Sequence, residues 1–435
     1  MIQQATRTAE AVRPLLPVTG ADLRVPLVTG GSAPYANLDI AASAPALASV
    51  TARVAELLPY YASVNRGAGF GSAVSTAALD AARRTIARFV GARDDDSVQL
   101  VRHTTDALNL LASAVPGDVV VLDLEHHANL LPWARVAGRR RTVAASATLA
   151  ATVAAPDDDL ARALPALLAV TGASNVTGEL LPLAGLAEVA HRHGARIAVD
   201  GAQLVPHRRV DIGALGIDYL AFSGHKVYAP YGAGVLVGRP DWLAAAPPYL
   251  AGGGAVRAVT LDEVTWADLP ARHEGGTPNV VGAVAIAAAC EALGALDPGE
   301  QAAHESALGE RLRDGLAELP GARVLRIWDD ATDTLGLATF TLASRPASLV
   351  AQYLSAEHGV AVRAGRFCAH PLLARLNSGA TAVRASVGVG TDSDDVDRLL
   401  AALDALVRSG PRWTYDADHL PAPDPRSLPG WLARE

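Results

Sequence analysis

From about residue 97 to residue 237, short β-branched runs alternate with stretches whose apolar residues recur at helical spacing. The run 97–101 precedes a helical pattern over 103–115, and 119–123 precedes one over 125–136. The run 167–171 leads through a polar turn to a helical pattern over 182–193, and 197–200, 219–222 and 234–237 are three further apolar runs. Runs this apolar suit strands buried on both faces, and their alternation with helices predicts right-handed crossovers and a mostly parallel sheet. The texture changes near residue 323. Apolar runs at 323–327 and 336–342, a helical pattern at 348–358, a strand-like 360–363 and a closing helix at 392–408 predict a smaller α+β unit. The division expected is an arm over 1–30, a large α/β domain over 31–300, a small domain over 301–408 and a Pro-rich tail over 409–435.

Composition narrows the class. The chain has 435 residues, 50% hydrophobic and 19% charged, too apolar for a disordered protein and long enough for a large core. A net charge of −8, with scattered arginines and no basic run, argues against nucleic acid as a partner. No stretch of about eighteen apolar residues predicts a membrane span, and the first residues lack the basic and apolar segments of a leader. Two cysteines, Cys290 and Cys368, suit a reducing compartment, so a cytoplasmic location is expected.

Lysine occurs once. Among 37 lysines and arginines only Lys226 can lose its proton near neutral pH and act as a nucleophilic amine. It follows the apolar run 219–222 in Phe222-Ser223-Gly224-His225-Lys226, a setting suited to an amine that captures an aldehyde such as pyridoxal 5′-phosphate. In an open parallel sheet, ligands bind beyond the carboxyl ends of the strands. There this chain places Thr104 and Thr105, then Glu125-His126-His127-Ala128-Asn129, then Ser174-Asn175, then Asp200 with Gln203, then Ser223, His225 and Lys226. Asp200 can keep a pyridine nitrogen protonated, and Thr105 at a helix N-terminus, with Ser223 and His225, can cradle a phosphate. Gln203 can donate to a ring hydroxyl, and His127 can stack on a ring face. Plain helix capping by Asp200 or Thr105, or a core position for His127, explains each residue singly. The adjacent His126 and His127 point apart and no His-Glu-x-x-His pattern occurs, so no metal is expected.

Several longer motifs resemble those of the cysteine desulfurase/selenocysteine lyase family, class-V aminotransferase-like enzymes of the fold-type I pyridoxal-phosphate class. They are Glu125–Asn129 with Pro132-Trp133, Val199-Asp200-Gly201-Ala202-Gln203, the Lys226 segment, Gly276-Thr277-Pro278-Asn279, and an early Leu38-Asp39. The resemblance implies a fold-type I architecture, Lys226 as the amine that holds pyridoxal 5′-phosphate, Asp200 at the ring nitrogen, Gln203 at the ring hydroxyl and His127 on the ring. Thr104, Thr105, Ser223 and His225 would hold the phosphate, with Thr277 arriving from the second subunit of a homodimer. Asn175, Arg363 and Arg384 would bind the substrate amino acid, Arg384 by a forked pair with its carboxylate. Cys368, in Arg363-Ala364-Gly365-Arg366-Phe367-Cys368-Ala369-His370-Pro371-Leu372, resembles the persulfide-forming cysteine of that family. The activity implied is cleavage of the Cβ–S bond of L-cysteine, or Cβ–Se of selenocysteine, to alanine, with a sulfur-acceptor protein as possible partner. Two departures stand out: Arg366-Phe367 where the family has two histidines, and Asn65 where a histidine is usual. They leave open a C–S lyase acting on a modified cysteine, an epimerase or a transaminase of the same class.

Overall fold

The computed structural model describes residues 11–64, 67–136, 140–343 and 345–432; Asn65 and the first ten residues of the arm lie outside that set. The large unit is built on a seven-stranded sheet. Its spatial order is Ser97–Val101, Gly234–Gly238, Tyr219–Ser223, Arg196–Asp200, Leu167–Thr171, Val119–Leu122 and Arg140–Val143. All neighbours run parallel except Gly234–Gly238, which is antiparallel to both strands beside it. Alternate residues of one strand serve opposite faces. Leu168 and Val170 join a cluster with Leu186 and Ala190 of the helix Leu183–Arg192, while Leu167 and Ala169 join Leu108 and Leu111 of the helix Thr104–Ala114. These side chains are fully buried, each worth about 1.5–3 kcal/mol against exposure.

Two elements differ from the sequence expectation. The stretch 125–136 is not one helix but a single turn, His127–Asn129, followed by the short helix Leu131–Val136. A side-chain network holds that turn: Asn129 donates to Glu125 at 2.7 Å, and Trp133 Nε1 donates to the Asn129 carbonyl at 2.9 Å. The sheet also gains an outer strand, Arg140–Val143, whose arginines are tolerated because only one edge is paired.

The smaller unit is an antiparallel sheet in the order Ala322–Val324, Leu337–Leu342, Ala382–Ser386, Arg363–Gly365. Leu308 and Leu312 of Pro298–Glu318, Val350 of Ala347–His358, and Leu399 and Leu403 of Ser393–Ser409 cover it, with Phe340 at the centre. Ala36–Asn37 pairs with Val360–Ala361, and Ala36 and Leu38 are buried in this second core. Residues 36–38 therefore pack on the smaller unit, while Ile40, Ala41 and Ala44 just after them join the core of the large one. The Pro-rich tail is fastened to the same unit by the buried Glu357. Its carboxylate accepts from the backbone N–H groups of Arg412 and Trp413 and from the Tyr415 hydroxyl, each at about 3.1 Å. Among the described residues, no single helix is long and apolar enough to cross a membrane.

Candidate active site

Parallel register brings the strand ends level. Thr171 pairs with Asp200, and Asp200 with Ala221 one strand further on. Because Gly234–Gly238 runs the other way, its first residue lies opposite both Ser223 and Val101, beside His103. Only glycine fits there, since a Cβ would lie 2.5 Å from the His103 Cα. The strand ends open on a cavity of about 290 Å³.

Eleven of the residues singled out in the sequence line this cavity. Thr104, Thr105, Ser223 and His225 occupy one part. Asp200, Gln203 and Lys226 line the sheet side, and Asn175, Arg363, Cys368 and Arg384 close the remainder. Thr104 donates its backbone N–H to the Ser223 hydroxyl at 2.8 Å, and the two hydroxyl oxygens are 2.6 Å apart. Thr105 stands exposed in the first turn of Thr104–Ala114, where free N–H groups favour an anion. Gln203 donates its side-chain amide to the Ala41 carbonyl at 2.7 Å.

One expectation is not met within the chain. His127 does not line the cavity; its neighbour His126 does. Consecutive residues point apart, and His126, extended at the start of the turn, accepts the Ala128 N–H on Nδ1 at 3.0 Å. His127 faces outward instead, donating its backbone N–H to the Cys368 carbonyl at 2.8 Å and meeting the His370 ring edge-on at 4.5 Å. Thr277 lies in a separate cleft with Arg83 and Glu274.

The structure adds residues whose part the sequence did not show. Glu125 is fully buried and accepts from the Thr171 backbone N–H at 3.0 Å and from Asn129 at 2.7 Å, clamping the His126 turn to the next strand. Asp39 bridges the two substrate-site arginines, at 3.3 Å from Arg384 Nη2 and 3.8 Å from Arg363 Nη1. Arg384 Nη1 donates to the Asn175 carbonyl at 2.8 Å, while its buried Nε has no hydrogen-bond partner among the described residues. The Phe367 ring packs against the Arg384 guanidinium. The strand-end rule could not find Asp39, which arrives from the N-terminal segment.

Burial sets the charges. It pulls the Lys226 amine down to about 8, against the opposing pull of Asp200. Burial raises the Asp200 carboxyl, which the Ala202 N–H at 3.0 Å and Lys226 partly counter. His126 is pushed down to about 3 and His225 to about 4, by burial first and then by the charge of Lys226, so both are neutral imidazoles in ordinary buffers. Arg384 is lowered to about 10 by burial but stays a cation at neutral pH.

One reactive amine, a buried carboxylate, an anion-binding helix start and a neutral imidazole form the donor set for an aromatic aldehyde carrying a phosphate. The aminotransferase class-V family matches residues 36–399, and the chain belongs to that family. Its enzymes work with pyridoxal 5′-phosphate, and the residues of this cavity suit that cofactor. Within the family, the similar curated proteins are cysteine desulfurases. That of Dickeya dadantii (strain 3937) is 39% identical over 86% of this chain and 92% of its own. That of Klebsiella pneumoniae (strain 342) is 36% identical over 92% of this chain and 98% of its own. Among solved structures, the cysteine desulfurase CsdA of Escherichia coli, in an S-sulfonic acid form, matches with a TM-score of 0.75 at 34% identity, covering 85% of this chain and 94% of its own. The apo cysteine desulfurase of Thermococcus onnurineus NA1 matches with a TM-score of 0.79 at 29% identity, covering 86% and 95%. The fold-type I architecture expected from the sequence is the one shared with these proteins.

Proposed function

We propose that this chain is a cysteine desulfurase that converts L-cysteine to alanine and carries the sulfur away as a persulfide on Cys368. The observation that carries the reading is the thiol itself: Cys368 is exposed, yet lines the same cavity as Lys226, Asp200 and Arg384. Held through Lys226, pyridoxal 5′-phosphate supplies an electron sink for charge that develops on the substrate carbons. Arg384 and Arg363 receive the substrate carboxylate, and Asn175 limits the pose beside it. With its amine free, Lys226 would serve as a base near neutral pH, because burial lowers its affinity for a proton. It takes the proton from Cα. The Cys368 thiolate then attacks the substrate sulfur: an S–S bond forms, the Cβ–S bond breaks, and its electron pair remains with Cβ. A proton delivered to Cβ and the return of a proton to Cα by Lys226 complete alanine, so the sulfur moves between thiols without an outside oxidant. Selenocysteine presents the same carboxylate, amine and Cβ to these residues. His126, neutral with its proton on Nε2, takes the place on the ring face expected of His127.

The working form in this reading is a cytoplasmic homodimer. Thr277 lies in a cleft away from its own cavity, where it suits delivery to a second copy. A reducing compartment keeps Cys368 free, and its exposure suits transfer of the sulfur to an acceptor protein. The test is incubation of the cofactor-loaded protein with L-cysteine and dithiothreitol, assaying alanine and sulfide together. Equal amounts of both, lost in Cys368→Ala with cofactor binding kept, are expected. Pyruvate in place of alanine, or undiminished turnover by C368A, would overturn the reading.

A further inference from the structure

We infer that Phe367 is a positioning residue: its ring, packed on the Arg384 guanidinium, seats Cys368 in the cavity. The inference rests on the desulfurase reading for its purpose, but one arm of its test does not.

Phe367 and Cys368 both have left-handed backbones, at φ +53° and +52°. Two successive side-chain-bearing residues in that region are strained, and the conformation persists only where surroundings impose it. The turn is closed by the Ala369 N–H, which donates to the Arg366 carbonyl at 3.0 Å, and three contacts from outside it hold the pair in place. Asn175 donates its side-chain amide to the Phe367 carbonyl at 2.8 Å. His127 donates its backbone N–H to the Cys368 carbonyl at 2.8 Å. The guanidinium carbon of Arg384 lies 5.3 Å from the Phe367 ring centroid. Arg384 also donates to the Asn175 carbonyl at 2.8 Å, so Phe367, Asn175 and Arg384 form a closed circuit. Arg384 is 3% exposed, and a poorly hydrated cation is where attraction to an aromatic face is strongest. The groups that meet the substrate carboxylate are thus the groups that hold the cysteine backbone. Released from the ring contact, the pair relaxes toward ordinary φ values and the thiol leaves the cavity.

A simple apolar plug would account for burial of Phe367 but not for a dependence on aromaticity. The test compares Phe367→Leu and Phe367→Met, which stay apolar, with Phe367→Tyr, which keeps a ring. The first readout is the rate of Cys368 alkylation by iodoacetamide in the apo-protein. Cys290 is buried with its thiol pushed far up, so it does not compete. The second is kcat against KM for L-cysteine in the loaded enzyme. F367L and F367M are expected to alkylate roughly 2- to 30-fold faster, the range spanned by a cation–π contact. Their kcat should fall by a similar factor with KM little changed, and F367Y should behave as the unsubstituted protein in both readouts. Equal rates in all variants overturn the inference, as does equal impairment of F367Y, which would make bulk alone decisive. A fall in kcat without a change in alkylation overturns it too. If the unsubstituted protein releases no sulfide, the desulfurase reading fails while the alkylation comparison still decides the role of Phe367.

Discussion

Asp39→Asn separates a competitor from a helper at the substrate carboxylate site. Asp39 lies 3.3 Å from Arg384 and 3.8 Å from Arg363, with its own side chain 21% exposed. At 3.3 Å and an effective dielectric near 20, the gross attraction to Arg384 is about 5 kcal/mol. Desolvation offsets that attraction: burial outweighs both arginines and holds the Asp39 carboxyl above its usual range, so removing the charge should change stability by no more than about 1 kcal/mol. Arg384 then stays buried with the Asn175 carbonyl as its remaining polar partner among those described. A substrate carboxylate no longer has to share the guanidinium, so D39N should bind L-cysteine more tightly, lowering KM by roughly tenfold, which is about 1.4 kcal/mol. The assay pairs thermal melts, with and without L-alanine, with steady-state kinetics. The melting point should change little in the free protein, and L-alanine should raise it more in D39N than in the parent. A raised KM, with no extra stabilisation by L-alanine, would refute the argument and make Asp39 an orienting residue instead.

Three further outcomes follow from the site. His126→Ala should cut kcat by about 10²- to 10⁴-fold if its ring assists proton transfer on the cofactor face, whereas His127→Ala should cost less than about tenfold; equal losses would contradict the placement of the two rings. In the apo-protein, the single lysine can be followed with an amine reagent such as trinitrobenzenesulfonate. Its reaction should rise with pH to a half-point near 8, because a lowered pKa frees the amine at lower pH, and Asp200→Asn should shift the half-point downward by removing the charge that opposes burial. A half-point near that of ordinary lysine would show that the amine is solvated. Glu125→Ala leaves two buried donors, the Thr171 N–H and the Asn129 amide, without acceptors; a loss of about 2–5 kcal/mol in chemical denaturation is expected, and a loss below about 1 kcal/mol would show the clamp to be dispensable.

The large sheet was legible because most of its strands are buried on both faces and therefore read as unbroken apolar runs, as in Leu167–Thr171 and Tyr219–Ser223. Arg140–Val143 escaped notice because an edge strand can carry Arg-Arg-Thr and still pair. The twenty-residue helix Phe70–Phe89 is equally hard to read, since its buried face includes Ser72, Ser75 and Ala82 and so shows little apolar period. At the site, the strand-end rule gathers residues but cannot say which of two adjacent histidines turns inward. The His126 choice depends on a cap bond to Ala128, a tertiary detail of one turn. Asp39 is a longer-range case. It reaches the cavity from a segment more than three hundred residues away from Arg384 in sequence, and nothing local to it announces a partner.

Glu357 gives the tail a part in how the sulfur-bearing lobe matures. Its carboxylate sits inside the small unit at 6% exposure, and the donors that neutralise its burial come from residues 412, 413 and 415. During synthesis those donors emerge only after the helix that carries Glu357. Until they dock, Glu357 in the last turn of the helix Ala347–His358 lacks these partners, each bond to a charged acceptor being worth about 1.5–3 kcal/mol. The lobe carrying Cys368 thus gains these bonds only after its own strands and helices have been made.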